Sequence, residues 1–398
     1  MKHDQLGFAT QAIHTGALSL KPYAPLATPI FQTATFLFDS CEQGAQRFAG
    51  EAEGYIYTRV GNPTESVLEK RLAALEQGED ALVTASGMGA IAAVLWTYLR
   101  AGDHVVAGGT LYGCTFALLS EELPRRGITV SFVDSTDLEA VERAIRPNTR
   151  LIYLETPANP NLAVTDIRAV CALAHSWSPE ILVTCDNTFA SPYHQNPLTL
   201  GCDIVMHSAT KYLNGHGDVI AGAVISSAER IQEIRLRGVK LLTGCVVSPF
   251  DAYLVLRGLK TLELRMQRHS ASAALVAAFL KDHPKVERVN YPGLPDFPGH
   301  ETAARQMCRG FGGMLSFEIK GGRAAGAKLV DSLKLCTLAV SLGDAETLIE
   351  HPASMTHSTY PAEELKKFHI SEGLVRLSVG LETAEDILWD LDQGLGQI

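Results

Sequence analysis

Short apolar runs recur through the middle of the chain at Leu82–Thr84, Val105–Ala107, Thr129–Val133, Leu151–Glu155, Ile181–Cys185, Ile204–His207 and Ala223–Ile225. Amphipathic helical stretches lie between most of them, Leu138–Ile145 and Ile167–His175 among them. Strands that are apolar on both faces and separated by helices predict a mostly parallel sheet in an α/β domain. The preceding 62 residues lack this rhythm, and Pro22, Pro25 and Pro29 exclude a long helix there. An extended arm of that kind is hard to bury within its own subunit, so it is expected to wrap around a neighbour. At Asn62-Pro63-Thr64-Glu65 a helix start is written out: an N-cap, a proline at the first helical position, and a glutamate three residues past the cap. Val67, Leu68, Leu72 and Leu75 supply its apolar stripe, and Gly78 is the expected stop. A long helical region is expected after Pro249, carrying Leu254, Leu256, Leu259, Leu262 and Leu264. Beyond Tyr291-Pro292-Gly293 the strands thin to Met314–Ile319 and Leu374–Val379, which predicts a smaller α+β domain. The expected division is an arm over 1–62, an α/β domain over 63–255 and a C-terminal α+β domain over 256–398.

Composition narrows the classes. The chain has 398 residues, 46% hydrophobic and 20% charged, enough to bury more than one core and too apolar for a disordered protein. Its formal charge is −10, from 34 basic and 44 acidic side chains with no basic run, which argues against a nucleic-acid partner. Eight cysteines include no C-x-x-C pair, so neither a disulfide framework nor a zinc site is expected, and no metal is. The polar start Met1-Lys2-His3-Asp4-Gln5-Leu6 has no leader-like apolar region, which makes a reducing cytoplasm the expected location. Ala81–Leu99 is uncharged and long enough for a membrane span, but Ser86-Gly87-Met88-Gly89 interrupts it. Strand, turn and buried helix describe that segment better, and no membrane association is expected.

Ligands of an open α/β sheet sit at the carboxyl ends of its strands. After Leu82–Thr84 comes the glycine turn Ser86–Gly89 opening a helix, a place for a phosphate if it is not simply a close-packing device. After Ile181–Cys185 comes Asp186, which either caps the strand or serves a ligand. After Ile204–His207 come Ser208, Thr210 and Lys211, ahead of a glycine-rich loop; a surface lysine is the plainer reading. Together the three features fit pyridoxal phosphate. That cofactor needs a lysine for a covalent bond, an acid for its ring nitrogen and donors for its phosphate. The absence of G-x-G-x-x-G argues against a nucleotide-dependent oxidoreductase, and a non-catalytic α/β binding protein stands as the alternative from another class.

Ser208-Ala209-Thr210-Lys211-Tyr212-Leu213-Asn214-Gly215-His216, Tyr57-Thr58-Arg59 with Asn62-Pro63-Thr64, and Glu155-Thr156-Pro157-Ala158-Asn159-Pro160 resemble the Cys/Met-metabolism family of pyridoxal-phosphate enzymes. The resemblance runs from Phe8-Ala9-Thr10 to Arg376-Leu377-Ser378-Val379-Gly380-Leu381-Glu382. It implies a fold-type I, aspartate aminotransferase-like architecture. Leu111-Tyr112-Gly113-Cys114-Thr115 and His351-Pro352-Ala353-Ser354-Met355-Thr356-His357 are most similar to the branch that removes the sulfur group of methionine by γ-elimination. Implied roles follow position by position. Lys211 bonds the cofactor and shuttles protons, Asp186 pairs with the ring nitrogen, and Tyr112 stacks on the ring and serves proton transfer. Gly87, Met88, Ser208 and Thr210 hold the phosphate, with Tyr57 and Arg59 supplied by a neighbouring subunit. Arg376 takes the substrate carboxylate, aided by Asn159 and Ser341. The implied assembly is a homotetramer of catalytic dimers, and the implied partner a small sulfur amino acid.

Three positions bear on the substrate. Cys114 stands where members of the family acting on methionine place a cysteine; a buried structural thiol is the plain alternative. Lys240 is followed by Leu241 where that branch usually carries Asp. Val340 precedes Ser341-Leu342-Gly343, where relatives that process cystathionine place a glutamate. An apolar residue there suits a thioether or short thiol, unless Val340 only continues a strand from Leu338. The expected activity is elimination from methionine and homocysteine. Sulfhydrylation of O-acetylhomoserine and elimination from cystathionine or cysteine are the alternatives within the family.

Overall fold

The computed structural model describes residues 6–18, 20, 24–355 and 371–398; Met1–Gln5, Pro22 and the Thr356-His357 pair lie outside the described residues. Asn62 caps the helix Pro63–Glu76, its side chain accepting from the Thr64 N–H at 2.9 Å. The helix ends on Gln77, which takes the left-handed conformation at φ 60°, rather than on Gly78. Gly78 answers a different need: a Cβ there would meet Ile225 Cγ2 at 2.4 Å, so the glycine lets the chain pass close to the neighbouring strand.

Seven strands form the large sheet: β1 (Asp80–Thr84), β2 (His104–Gly108), β3 (Thr129–Val133), β4 (Thr149–Glu155), β5 (Leu182–Asp186), β6 (Ile204–Ser208) and β7 (Gly222–Ser226), in the order β1-β7-β6-β5-β4-β2-β3. All but β7 run the same way, which makes the sheet mostly parallel as expected. Helices cover both faces. Gly87–Tyr98 packs its Val94 and Leu95 with Leu82, Met206 and Val224. Pro63–Glu76 packs Val67, Leu68 and Leu72 with Val83, Ala223 and Ile225. Two-sided burial explains the continuous apolar runs. The Ala81–Leu99 segment is β1, a turn and the helix Gly87–Tyr98; among the described residues no helix is long and apolar enough to cross a membrane.

The second sheet has five strands where the sequence showed two. They are β8 (Val286–Asn290), β9 (Met314–Ile319), β10 (Thr337–Leu338), β11 (Leu348–Glu350) and β12 (Leu374–Ser378), ordered β10-β11-β12-β9-β8. The missed strands had no apolar run to reveal them. β8 exposes Glu287 and Arg288, and β10 and β11 span two and three residues. The expected long helix after Pro249 is two helices, Pro249–Leu259 and Leu262–Asp282, which part at Lys260-Thr261. The second packs Ala273, Val276 and Leu280 on the small sheet.

One buried carboxylate stitches the large sheet to its covering helix. Glu76 accepts from Asn187 Nδ2 at 2.7 Å and Asn196 Nδ2 at 3.0 Å, and pairs with His207 Nε2 at 2.6 Å. Glu76 and His207 are both almost fully buried. Glu76→Ala strands these donors away from water and should destabilise the protein by about 3 kcal/mol. A urea midpoint that falls no further than in the exposed-helix variant Glu139→Ala would show that the network contributes little.

Candidate active site

Because β1, β2, β4, β5 and β6 are co-directional, their carboxyl ends share one edge of the sheet. A cavity of about 270 Å³ opens there. Of the positions singled out in the sequence, Gly87, Met88, Tyr112, Asn159, Asp186, Ser208, Thr210, Lys211, Val340, Ser341 and Arg376 line it. Tyr57, Arg59 and Cys114 do not.

Lys211 follows β6 through Ala209-Thr210, and its Nζ donates to Ser341 Oγ at 2.9 Å. Burial, reinforced by the Arg376 guanidinium, pushes the amine below the ordinary lysine range, against the opposing pull of Asp344 and Glu350. Asp186 closes β5 and is buried; Thr188 donates to its Oδ1 through both the backbone N–H, at 3.0 Å, and the hydroxyl. Desolvation raises the carboxyl all the same, with Thr188 and His207 acting in the other direction.

Arg376 lies in β12 and reaches across from the small sheet. Its Nη1 donates to Asn159 Oδ1 at 2.9 Å, its Nη2 to the Ser341 carbonyl at 3.0 Å, and Glu350 Oε1 lies 3.0 Å from Nη1. Tyr112 stands at the mouth, 42% exposed. Partial burial, with the Cys114 thiol in hydrogen-bonding reach and Glu155 nearby, raises its phenol to about 12. Cys114 is exposed in the chain, so the buried-thiol alternative does not hold. Val340 is 57% exposed, and β10 ended at Leu338, so it is not a strand continuation.

Glu155, part of the Glu155-Thr156-Pro157-Ala158-Asn159-Pro160 motif, joins the site without a signal in the sequence. It closes β4 in register with Asp186. Its Oε2 accepts the Tyr112 N–H at 2.8 Å and its Oε1 the Asn159 N–H at 3.0 Å. Burial and then Asp186 push its carboxyl up to about 8, while those amides and Arg376 draw it down. Glu350, the buried partner of Arg376, was also missed. Pairing across β11 and β12 brings it there, a contact that no local spacing signals.

Tyr57 and Arg59 sit together elsewhere, the guanidinium 5.6 Å from the ring centroid. They line a separate hollow with Thr33, Val247 and Ser248. Leu241 is 73% exposed on the helical segment Ile234–Thr243.

The profile of the Cys/Met metabolism PLP-dependent enzymes matches residues 9–396. The chain belongs to that family. It is 59% identical over 398 residues to an L-methionine gamma-lyase of Fusobacterium nucleatum subsp. polymorphum, with both chains fully covered. An L-methionine gamma-lyase of Porphyromonas gingivalis is 58% identical over 401 residues, again at full coverage. A cystathionine gamma-synthase of Mycobacterium tuberculosis is 47% identical, covering 98% of this chain and 97% of its own. The crystal structure of metB from Corynebacterium glutamicum superposes with a TM-score of 0.93 at 42% identity, covering all of both chains.

The cavity's residues fit the family's cofactor. The helix Gly87–Tyr98 begins at the cavity, capped by Ser86, whose hydroxyl accepts the Gly89 N–H at 3.0 Å. A helix start is positive and offers free N–H groups to a phosphate. A Cβ on Gly87 would meet Ser208 Cβ at 2.9 Å, so glycine keeps these two elements close. Lys211 offers an amine made more nucleophilic by its environment, and Asp186 a buried carboxylate that a cationic ring nitrogen would stabilise.

The lowered Lys211 amine has a directly measurable consequence. In the cofactor-free protein, labelling of Lys211 by an amine-selective reagent should reach its half-maximum below pH 10.5, the ordinary lysine value. Peptide mass spectrometry across a pH series reads this. A midpoint at or above the ordinary value would contradict the assigned environment.

Proposed function

We propose that the protein cleaves L-methionine to methanethiol, 2-oxobutanoate and ammonia, and homocysteine to hydrogen sulfide, 2-oxobutanoate and ammonia. The carrying observation is a buried amine, a buried carboxylate and a helix N-terminus sharing one cavity whose mouth is apolar at Val340. Full-length identity of 58–59% to proteins named L-methionine gamma-lyase supports the same reading.

Bound pyridoxal phosphate supplies an electron sink that stabilises negative charge beside the amino acid's nitrogen. Arg376 grips the substrate carboxylate with its planar fork, and Asn159 and Ser341 hold that fork at its angle. Lys211, once free, takes the proton from Cα and moves protons along the substrate carbons; Ser341 keeps its amine aimed. Tyr112, which lines the same cavity, would lie against the ring. Its phenol, raised to about 12, keeps its proton at neutral pH and can deliver it to the departing sulfur. Gly87, Met88, Ser208 and Thr210, which line the cavity, would hold the phosphate, and Asp186 would keep the ring nitrogen protonated. Cys114 lies outside the cavity lining and acts through Tyr112, whose phenol its thiol reaches by a hydrogen bond.

Tyr57 and Arg59 complete the phosphate site of a neighbouring copy. Their distance from this chain's own cavity and the exposure of Leu26, Leu37 and Phe48 in residues 1–62 support that reading. The working assembly is then a homotetramer built from catalytic dimers, acting in the cytoplasm, with 63–255 as the cofactor-binding domain and 256–398 as the C-terminal one.

Lys211→Ala should abolish 2-oxobutanoate release and leave no cofactor attached after borohydride reduction. Substantial elimination by that variant would overturn the assignment. Val340 separates substrates. It offers no partner for the distal ammonium of cystathionine, which would rest unpaired against an apolar side chain. The unmodified protein should favour methionine and homocysteine over cystathionine, and Val340→Glu should shift the ratio of kcat/KM towards cystathionine. Equal efficiencies in the unmodified protein would refute the specificity claim.

A further inference from the structure

Tyr112 and Arg376 belong to different sheets, yet each must hold a fixed place against the same small ligand. One unbroken chain of hydrogen bonds joins them. The Tyr112 N–H donates to Glu155 Oε2 at 2.8 Å, and the Asn159 N–H donates to Glu155 Oε1 at 3.0 Å. Asn159 Oδ1 then accepts from Arg376 Nη1 at 2.9 Å. We infer that Glu155 is a positioning residue that sets the spacing between the Tyr112 ring and the Arg376 guanidinium. The inference rests on the functional reading above, which gives those two groups their ligands.

The chemistry favours a carboxylate at this place. Its two oxygens can accept from two amides at once, and in the ionised form, which prevails above about pH 8, it offers two acceptors and no donor. Glutamine has the same size and reach but turns an NH₂ group towards one of the two N–H donors. A buried donor then faces a donor, and one end of the bracket comes loose. If the Tyr112 end loosens, the turn entering the short helix Gly113–Ala117 shifts. If the Asn159 end loosens, Arg376 loses a rigid partner. The charged groups around Glu155 are Asp186 and Arg376, so the substitution also removes a negative neighbour of each. That change acts through charge alone and does not require Asn159.

The test uses the cofactor-loaded protein at pH 9, where the Glu155 carboxyl is ionised, and glycine, which has the carboxylate but no sulfur group to lose. In Glu155→Gln, the visible circular dichroism of the bound cofactor should change, because it reports how the ring is seated. Glycine, titrated by its effect on the cofactor absorption, should bind about fivefold more weakly or worse. The Asn159→Ala and Glu155→Gln effects on glycine affinity should be less than additive, since both act through one chain of contacts. Unchanged dichroism with glycine affinity within about twofold of the parent would overturn the inference, whatever happens to thermal stability; so would full additivity. Arg376→Lys separates this result from the functional reading. If that variant loses glycine affinity and Glu155→Gln does not, the carboxylate grip stands and the positioning role falls. None of these readouts depends on which sulfur amino acid is cleaved.

Discussion

Arg376 leaves β12 of the small sheet and donates 2.9 Å across to Asn159, which follows β4 of the large one, while its second nitrogen holds the Ser341 carbonyl. The cavity lies where these two sheets meet, and this guanidinium bonds across the seam. A buried arginine is costly to desolvate, so it must be surrounded by acceptors. Here they come from three separate stretches: Asn159, Ser341 and Glu350. Ser341 in turn accepts from Lys211, so the amine at the end of β6 is tied to the same cation.

The site's electrostatics follow from that arrangement. Two cations, Lys211 and Arg376, lie among the carboxylates Asp186, Glu155, Glu350 and Asp344, mostly out of water. Each carboxyl whose shift is resolved is raised, and each cation lowered, because burial disfavours charge on both. The site is therefore primed to take up a ligand that brings both a cationic ring nitrogen and anionic groups. Bringing such charges in offsets the desolvation already borne by the protein.

Much of this was legible in the chain. The apolar runs located all seven strands of the large sheet, since two-sided burial writes itself as continuous hydrophobicity in all but the partly exposed edge strand β3. Their ends pointed to Gly87, Asp186, Ser208 and Lys211, and the cavity holds all four. Less visible were features made by pairing at a distance. Glu155 and Glu350 look like ordinary acids until strand register sets them beside Asp186 and Arg376. The short strands β10 and β11 follow no pattern of their own and are held by their neighbours. Gly78 was misread as a helix stop because its real reason, the approach of Ile225, lies some 150 residues along the chain.

The Arg376 fork is already engaged before anything enters: Asn159, Ser341 and Glu350 occupy its edge. A carboxylate meeting this guanidinium would share it with those acceptors rather than face a bare cation, and only the difference in bonding would count towards affinity. What three acceptors on separate stretches give the fork is alignment, which sets the angle at which it can meet a planar group.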